Sequence, residues 1–104
     1  MDYHIQNSSK ESIQELFDAF LLLKNSEEVA RFMKDLCTPQ EIEALAERWK
    51  VCKMLQAGEL SYRQISQETG AGLATITRVA RFLKTEPHQG YTLLLERIAR
   101  KRKK

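Results

Sequence analysis

The chain has 104 residues, a net charge of +3 and 42% hydrophobic residues, and its length fits one domain, because most domains have about 100–150 residues. The longest apolar run, residues 19–23, is far shorter than the roughly 18 residues of a membrane span, and no signal segment opens the sequence. We therefore expect a single domain over residues 1–104, in the cytoplasm and without a membrane partner. Cys37 and Cys52 are expected to be reduced, buried thiols, too far apart for a CxxC site.

The net charge hides an asymmetry between two parts of the chain. Residues 1–47 carry 4 basic and 10 acidic side chains, a net charge of −6, whereas residues 48–104 carry 13 basic and 4 acidic side chains, a net charge of +9. A basic segment of this kind attracts polyanions. The pattern predicts a polyanionic partner for the C-terminal part.

Composition predicts an all-α protein, because four glycines and two prolines are few for a turn-rich β protein and good helix formers dominate. The first helix is predicted over residues 10–24, where apolar residues recur at helical spacing: Ile13, Leu16, Phe17, Phe20, Leu21 and Leu23. The second helix follows, and Ser26 is predicted to cap it, since two glutamates come next in its first turn.

The third helix has the clearest start signal. Thr38 supplies a capping hydroxyl, Pro39 suits the first helical position, and Glu41 completes a capping box. An apolar face continues this helix to about Ala57, where Gly58 ends it.

Three more helices are predicted after residue 60. Ser61 and Gln64 form a second capping box, which opens a short helix that ends at the next glycine. Another helix is predicted over residues 73–84, and a last amphipathic helix follows a break that contains proline and glycine. We expect the five basic residues from Arg100 to Lys104 to be frayed and to attract polyanions without specificity.

Six short helices leave more apolar surface than one small monomer can bury, above all on the broad stripe of the first helix. We therefore expect a homodimer. Residues 1–60 are predicted to be the dimerisation helices, and residues 88–104 the C-terminal helix and basic tail.

Residues 61–84 between these parts have the spacing of a helix-turn-helix. Ser66 is the small residue that a steep helix crossing needs, and Gly70 is the turn residue that tolerates a positive φ. Ile76 and Val79, three residues apart, are expected to point from the second helix into the core.

The outward face of that second helix predicts what the motif binds. Short or hydroxylated side chains let a helix approach base edges in the major groove, and arginine binds guanine or phosphate. Arg63 and the start of the preceding helix suit phosphate, while Tyr62 either packs against the motif or offers its hydroxyl to a phosphate. The predicted DNA contacts are Tyr62, Arg63, Leu73, Ala74, Thr75, Thr77, Arg78 and Arg81.

Paired helices with a glycine turn also occur in proteins that do not bind DNA. The alternative is a small helical dimer that binds an acidic protein or RNA through its basic part. Trp49 is assigned to the core rather than to base stacking. His4 and His88 lack partners at metal-ligand spacing, and no nucleophile has a recognisable base, so neither a metal site nor an enzyme is predicted.

From Thr38 to Lys84 the sequence resembles the Trp repressor family, most closely its YerC/YecD-type members, in the segments TPQEIEALAER and GELSYRQISQETGAGLATITR. The resemblance implies a six-helix chain and an intertwined homodimer, in which the first, second, third and last helices build a shared core. It also implies a transcriptional regulator, most simply a repressor, that binds a pseudo-palindromic operator. Half-sites for helix-turn-helix dimers, of which the Trp repressor is an example, lie roughly 34 Å apart.

The resemblance further implies a ligand pocket. The arginines that hold the corepressor in this family match Arg48 and Arg78, although Arg48 taken alone also fits a solvated helix position. Val79 stands where the family repressor has a glycine that leaves room for the indole, and Phe82 stands where it has a serine near the ligand amino group. Overpacking costs on the order of 1–3 kcal/mol and a lost polar contact about 0.5–1.5 kcal/mol, so we predict that L-tryptophan is not the corepressor.

Two hypotheses follow for these pocket residues. In the first, Val79 and Phe82 fill the space themselves. They then hold the recognition (reading) helix, the second helix of the helix-turn-helix, permanently in a DNA-competent position. In the second, a small anionic effector such as a carboxylate or a phosphate binds Arg48 and Arg78. No other cofactor is predicted.

Overall fold

The computed structural model describes the backbone of residues 2–102 and the side chains of residues 9–102. Within these residues the chain forms six helices and no strand, which confirms the all-α prediction. None of the described helices is long and apolar enough to cross a membrane. The helices are α1 Asp2–Phe20, α2 Ser26–Leu36, α3 Pro39–Ala57, α4 Tyr62–Thr69, α5 Leu73–Lys84 and α6 Gly90–Arg102.

The first helix is shifted toward the N-terminus relative to its predicted span. It begins at Asp2 because a helix can continue through polar residues that carry no apolar stripe, and it ends at Phe20. The backbone N–H groups of residues 21–23 donate to carbonyls three residues earlier, at 3.1–3.2 Å, which is the tighter bonding found where an α-helix ends. His4 lies outside the residues whose side chains are described.

The cap of α2 is Asn25, and the prediction of Ser26 is wrong. The Asn25 Oδ1 atom accepts a hydrogen bond from the backbone N–H of Glu28 at 2.9 Å, and the Glu28 carboxylate accepts one from the backbone N–H of Lys24 at 2.9 Å. Asparagine caps helices at least as well as serine. Glu28, three residues after the asparagine, therefore selects the earlier of the two capping residues.

The predicted start and end of α3 are confirmed. The Thr38 hydroxyl accepts from the backbone N–H of Glu41 at 3.1 Å, and the Glu41 carboxylate accepts from the backbone N–H of Thr38 at 2.8 Å. The helix ends at Ala57, and Gly58 follows with a φ of 71°, a left-handed conformation that favours glycine.

The structure divides into two compact units, one up to Ile42 and one from Glu43 onward. In the first unit, the rings of Phe20 and Phe32 meet edge to face with centroids 5.3 Å apart. No side chain of α2 is buried. Cys37, at the end of α2, is half-buried rather than buried as predicted, because its own unit does not enclose it.

The second unit contains the hydrophobic core. Cys52 is fully buried as predicted, and burial raises its pKa to about 11. Trp49 packs against this core and stacks on Tyr91 with centroids 6.3 Å apart, which confirms its assignment to the core rather than to an exposed stacking surface. The buried cluster consists of Val51, Cys52, Ile65, Ala71, Ile76, Val79 and Leu83.

Several large apolar side chains of both units are left uncovered by the chain. They include Ile13, Phe17, Leu21, Leu22, Leu93, Leu94 and Ile98. The last two positions of the basic tail lie outside the described residues. The prediction that the tail is frayed is wrong for residues 100–102, because α6 continues to Arg102. Basic side chains in its last turn interact favourably with the negative end of the helix dipole.

Candidate nucleic-acid interface and adjoining cavity

Helices α4 and α5 are joined by a three-residue turn whose conformation depends on glycine. The Ser61 hydroxyl accepts from the backbone N–H of Gln64 at 3.1 Å, and the Gln64 side chain accepts from the backbone N–H of Ser61 at 2.8 Å, so the predicted capping box opens α4. Gly70 follows the helix with φ 79° and ψ −3°. A residue with a Cβ is disfavoured in this left-handed conformation.

Side-chain hydroxyls of α4 hold the turn in place. The Ser66 Oγ donates to the carbonyl of Ala71 at 2.7 Å, so this residue supplies a hydrogen bond as well as the small size predicted for it. The Thr69 Oγ1 donates to the carbonyl of Ile65 at 2.8 Å and accepts from the backbone N–H of Ala71 at 3.0 Å. This role of Thr69 was not predicted from the sequence. Its position just before the turn glycine is the pattern that would have indicated it, since threonine hydroxyls often bond to the backbone of turns.

The buried residues of α5 show which side of the helix faces the core and which side faces outward. Ile76 and Val79 point inward as predicted, with 0% and 1% of their surfaces exposed, and Ala80 and Leu83 are buried beside them. Because these positions lie on one side of a helix of 3.6 residues per turn, the opposite side of α5 faces away from the core.

The outward side of α5 carries most of the predicted DNA-contact set. Leu73 is 59% exposed, and four further residues of α5 are also exposed: Ala74, Thr77, Arg78 and Arg81. Thr75 is half-buried and contributes less surface than its neighbours. At the start of α4, Tyr62 is 39% exposed and Arg63 is exposed.

The N-terminus of α5 and its exposed cations give this face a positive character. Gly72 caps the helix without a side-chain hydrogen bond, and no acidic residue lies in the first turn. The first backbone N–H groups are therefore free to bind water or an anion. Arg81 approaches Glu86 at 3.8 Å with more than half of its side chain exposed, a weak surface ion pair.

Beside this face lies a cavity of about 370 Å³ that brings together all four predicted pocket residues. Val79 lines this cavity and also belongs to the buried core. The volume lies within the range of small-molecule sites. The lining residues are Arg48, Arg78, Val79, Phe82, Gly90, Tyr91 and Leu94.

Three of these lining residues lie on α6 and were not predicted. Their contribution depends on how α6 packs beside α5, which no local pattern in the sequence specifies. Burial raises the pKa of the Tyr91 hydroxyl, and Cys52 raises it further, while the charges of Arg48 and Arg78 oppose the shift. The cavity therefore combines two guanidinium groups with a mainly apolar wall.

Phe82 is the centre of a cluster at the edge of the cavity. The guanidinium carbon of Arg78 lies 4.5 Å from the centroid of the Phe82 ring, and that of Arg81 lies 5.1 Å from it. The imidazole of His88 stacks on the same ring, with centroids 6.2 Å apart and planes inclined by 13°. His88 thus has an aromatic partner that the sequence did not reveal.

A second cavity of about 580 Å³ lies between α3 and α6. Its wall includes the apolar side chains of Ala57, Leu95, Ile98 and Ala99. No group of three or more potential metal ligands occurs among the residues that the structure describes.

Comparison with known proteins places these features in a family. The YerC protein of Bacillus subtilis is 44% identical over 86 residues, which cover 83% of this chain and 81% of that protein. A Trp operon repressor homolog of Vibrio cholerae is 40% identical over 81 residues, covering 78% of this chain and 79% of that protein. The crystal structure of a TrpR-like protein from Eubacterium eligens superposes with a TM-score of 0.80 at 39% identity, covering 86% of this chain and 90% of that one.

The family model described as Trp repressor protein matches residues 11–99. This match spans all but the ends of the chain, and the fold of the structural relative agrees with it. The family is one of regulators rather than of enzymes. The chain belongs to the Trp repressor family.

Proposed function

We propose that the chain is a transcriptional regulator that binds double-stranded DNA at a specific sequence, most simply as a repressor. The observation that carries the proposal is the outward face of α5, where short side chains lie between exposed arginines. Family membership supports a DNA-binding regulator. The α4–α5 pair acts as the helix-turn-helix, with α5 in the major groove.

The side chains of α5 divide the recognition between bases and backbone. Ala74 and Thr77 allow close approach to base edges, and the hydroxyl of Thr77 donates or accepts a hydrogen bond there. Arg78 and Arg81 bind guanine or phosphate. Arg63 and the uncapped first turn of α5 bind phosphate and set the register of the protein on the duplex.

The proposal includes a homodimer on a pseudo-palindromic operator. In the first unit, Phe17, Leu21 and Leu22 are 57%, 82% and 79% exposed, more apolar surface than a monomer usually leaves uncovered. In the second unit, the cavity between α3 and α6 offers an apolar groove. A partner chain that covers these surfaces gives two copies of α5, and half-sites roughly 34 Å apart follow from that geometry.

The proposal excludes L-tryptophan as the corepressor. The pocket residues Val79 and Phe82 remove the room and the polar contact that the resemblance assigns to the indole and the amino group. Arg48 and Arg78 leave the cavity suited to a small anion. The regulator therefore works either without a ligand or with an anionic effector.

The test begins with selection of bound sequences from a random DNA pool. Thr77→Tyr places a bulky side chain on the outward face of α5, and Gln67→Tyr is the matched control on an exposed position of α4. We expect T77Y to lose the preference for the selected site by at least about tenfold, since one misfitted base pair costs about 1–3 kcal/mol, while dimerisation and the Q67Y affinity stay unchanged. A wild-type protein with equal affinity for every duplex would instead support a module that binds an acidic protein or RNA.

A further inference from the structure

We propose that Phe82 positions the two arginines of the reading helix, so that the ligand-free protein presents them to DNA in a fixed arrangement. The inference rests on the proposed function, because it assigns to Arg78 and Arg81 the task of contacting DNA. It names Phe82 as a positioning residue that itself touches no base.

The geometry places both guanidinium groups on one aromatic ring. Arg78 precedes Phe82 by one helical turn, the spacing at which helix side chains meet, and its guanidinium carbon lies 4.5 Å from the ring centroid. Arg81 reaches the same ring at 5.1 Å. Both distances fall within the roughly 6 Å range of cation–π attraction.

Within the described part of the chain, little else holds these two arginines. Arg78 makes no ion pair there, and the pair of Arg81 with Glu86 is long, at 3.8 Å. Phe82 itself is half-buried on α5, between the buried residues Ala80 and Leu83. The half-buried ring is therefore a better fixed point for the guanidinium groups than solvent or an exposed surface ion pair.

Stacking on a ring leaves an arginine competent for recognition. An arginine that stacks on a ring uses the face of its guanidinium group, so the N–H donors in the guanidinium plane remain available to a base or a phosphate. An arginine already held in one arrangement loses less conformational freedom when it binds. Phe82 thus favours DNA binding without any added small molecule.

The test replaces the ring by an aliphatic side chain. Phe82→Leu removes the aromatic face, and Phe82→Tyr, the matched control at the same position, retains it. Two readouts are made on ligand-free protein: the affinity for the selected operator, and the NMR shifts of the Nε–H groups of Arg78 and Arg81 without DNA.

We expect F82L to bind the operator at least about fivefold more weakly, because two arginines that are no longer held lose more conformational freedom on binding, and to lose the ring-current shifts of both arginines. F82Y should keep both properties. If F82L unfolds at the assay temperature, Phe82→Met provides the same comparison with a flexible side chain.

Operator affinity within twofold of wild type in F82L would overturn the inference, as would wild-type arginine signals without a ring-current shift. These outcomes differ from a failure of the proposed function itself. If the proposed function is wrong, the wild-type protein shows no sequence preference. The NMR measurement needs no DNA, so it still decides whether the ring holds the arginines.

Discussion

Replacing Gly70 by alanine tests how the turn between α4 and α5 is built. The left-handed region that Gly70 occupies, with φ 79°, is less favourable for a residue with a Cβ by about 1–2 kcal/mol. A Cβ on Gly70 would meet no other atom within 4 Å, so steric overlap adds nothing to this backbone cost. We therefore expect G70A to lower the free energy of unfolding by about 1–2 kcal/mol.

Urea unfolding followed by circular dichroism measures this loss, at one protein concentration because a dimer is proposed. With a slope of about 2 kcal/mol/M, in the middle of the usual range for urea, the midpoint should fall by roughly 0.5–1 M. Gly90→Ala is the matched control, since Gly90 opens α6 without a positive φ and also has open space around it. G90A should gain about 0.4–1 kcal/mol. A G70A midpoint equal to that of wild type, or equal losses in both variants, would show that the positive φ of Gly70 does not set the stability of the turn.

Three further predictions concern the cap of α2, the buried thiol and the pocket. Asn25→Ala should lower the free energy of unfolding by about 1 kcal/mol, while Ser26→Ala should change it by less than about 0.5 kcal/mol; the reverse order in urea unfolding would restore Ser26 as the cap. Burial raises the pKa of Cys52 from 9.0 to about 11, so the folded state holds its proton more tightly, and that stabilisation is complete below pH 9 and lost as pH rises toward about 11. Cys52→Ala should lack this loss in unfolding measured between pH 8 and 11, and equal slopes for both proteins would contradict the assignment. Titration calorimetry with L-tryptophan should show no binding, whereas micromolar binding that disappears in Arg78→Ala would contradict the exclusion of that ligand.

Features with local causes could be predicted from the sequence. The capping boxes at Thr38 and Ser61 each involve residues only three positions apart, and both form as predicted. Gly70 adopts the positive φ that its place between two helices requires. The same local logic failed at α2, because Asn25 and Ser26 are adjacent capping residues and only the position of Glu28 favours the first.

Features that depend on packing between helices could not be predicted. The four pocket residues were found through the family resemblance, whereas the part of the wall formed by Tyr91 and Leu94 requires α6 to lie beside α5. His88, which lies beyond the end of α5, stacks on Phe82, which lies within that helix. The spacing rules for side chains on one helix therefore do not predict this contact. These contacts follow from tertiary structure, as do the contacts of the Phe82 ring with Arg78 and Arg81.

We propose that the outward face of α5 recognises a DNA sequence and not only the charge of the duplex. Competition between the selected operator and random duplex at physiological salt distinguishes the two, because charge attraction alone gives every duplex the same affinity. We expect ligand-free wild-type protein to prefer the operator by a factor on the order of 10³ or more, and T77Y to show a preference smaller by at least about tenfold. Equal affinity of the wild-type protein for operator and random DNA would contradict this proposal.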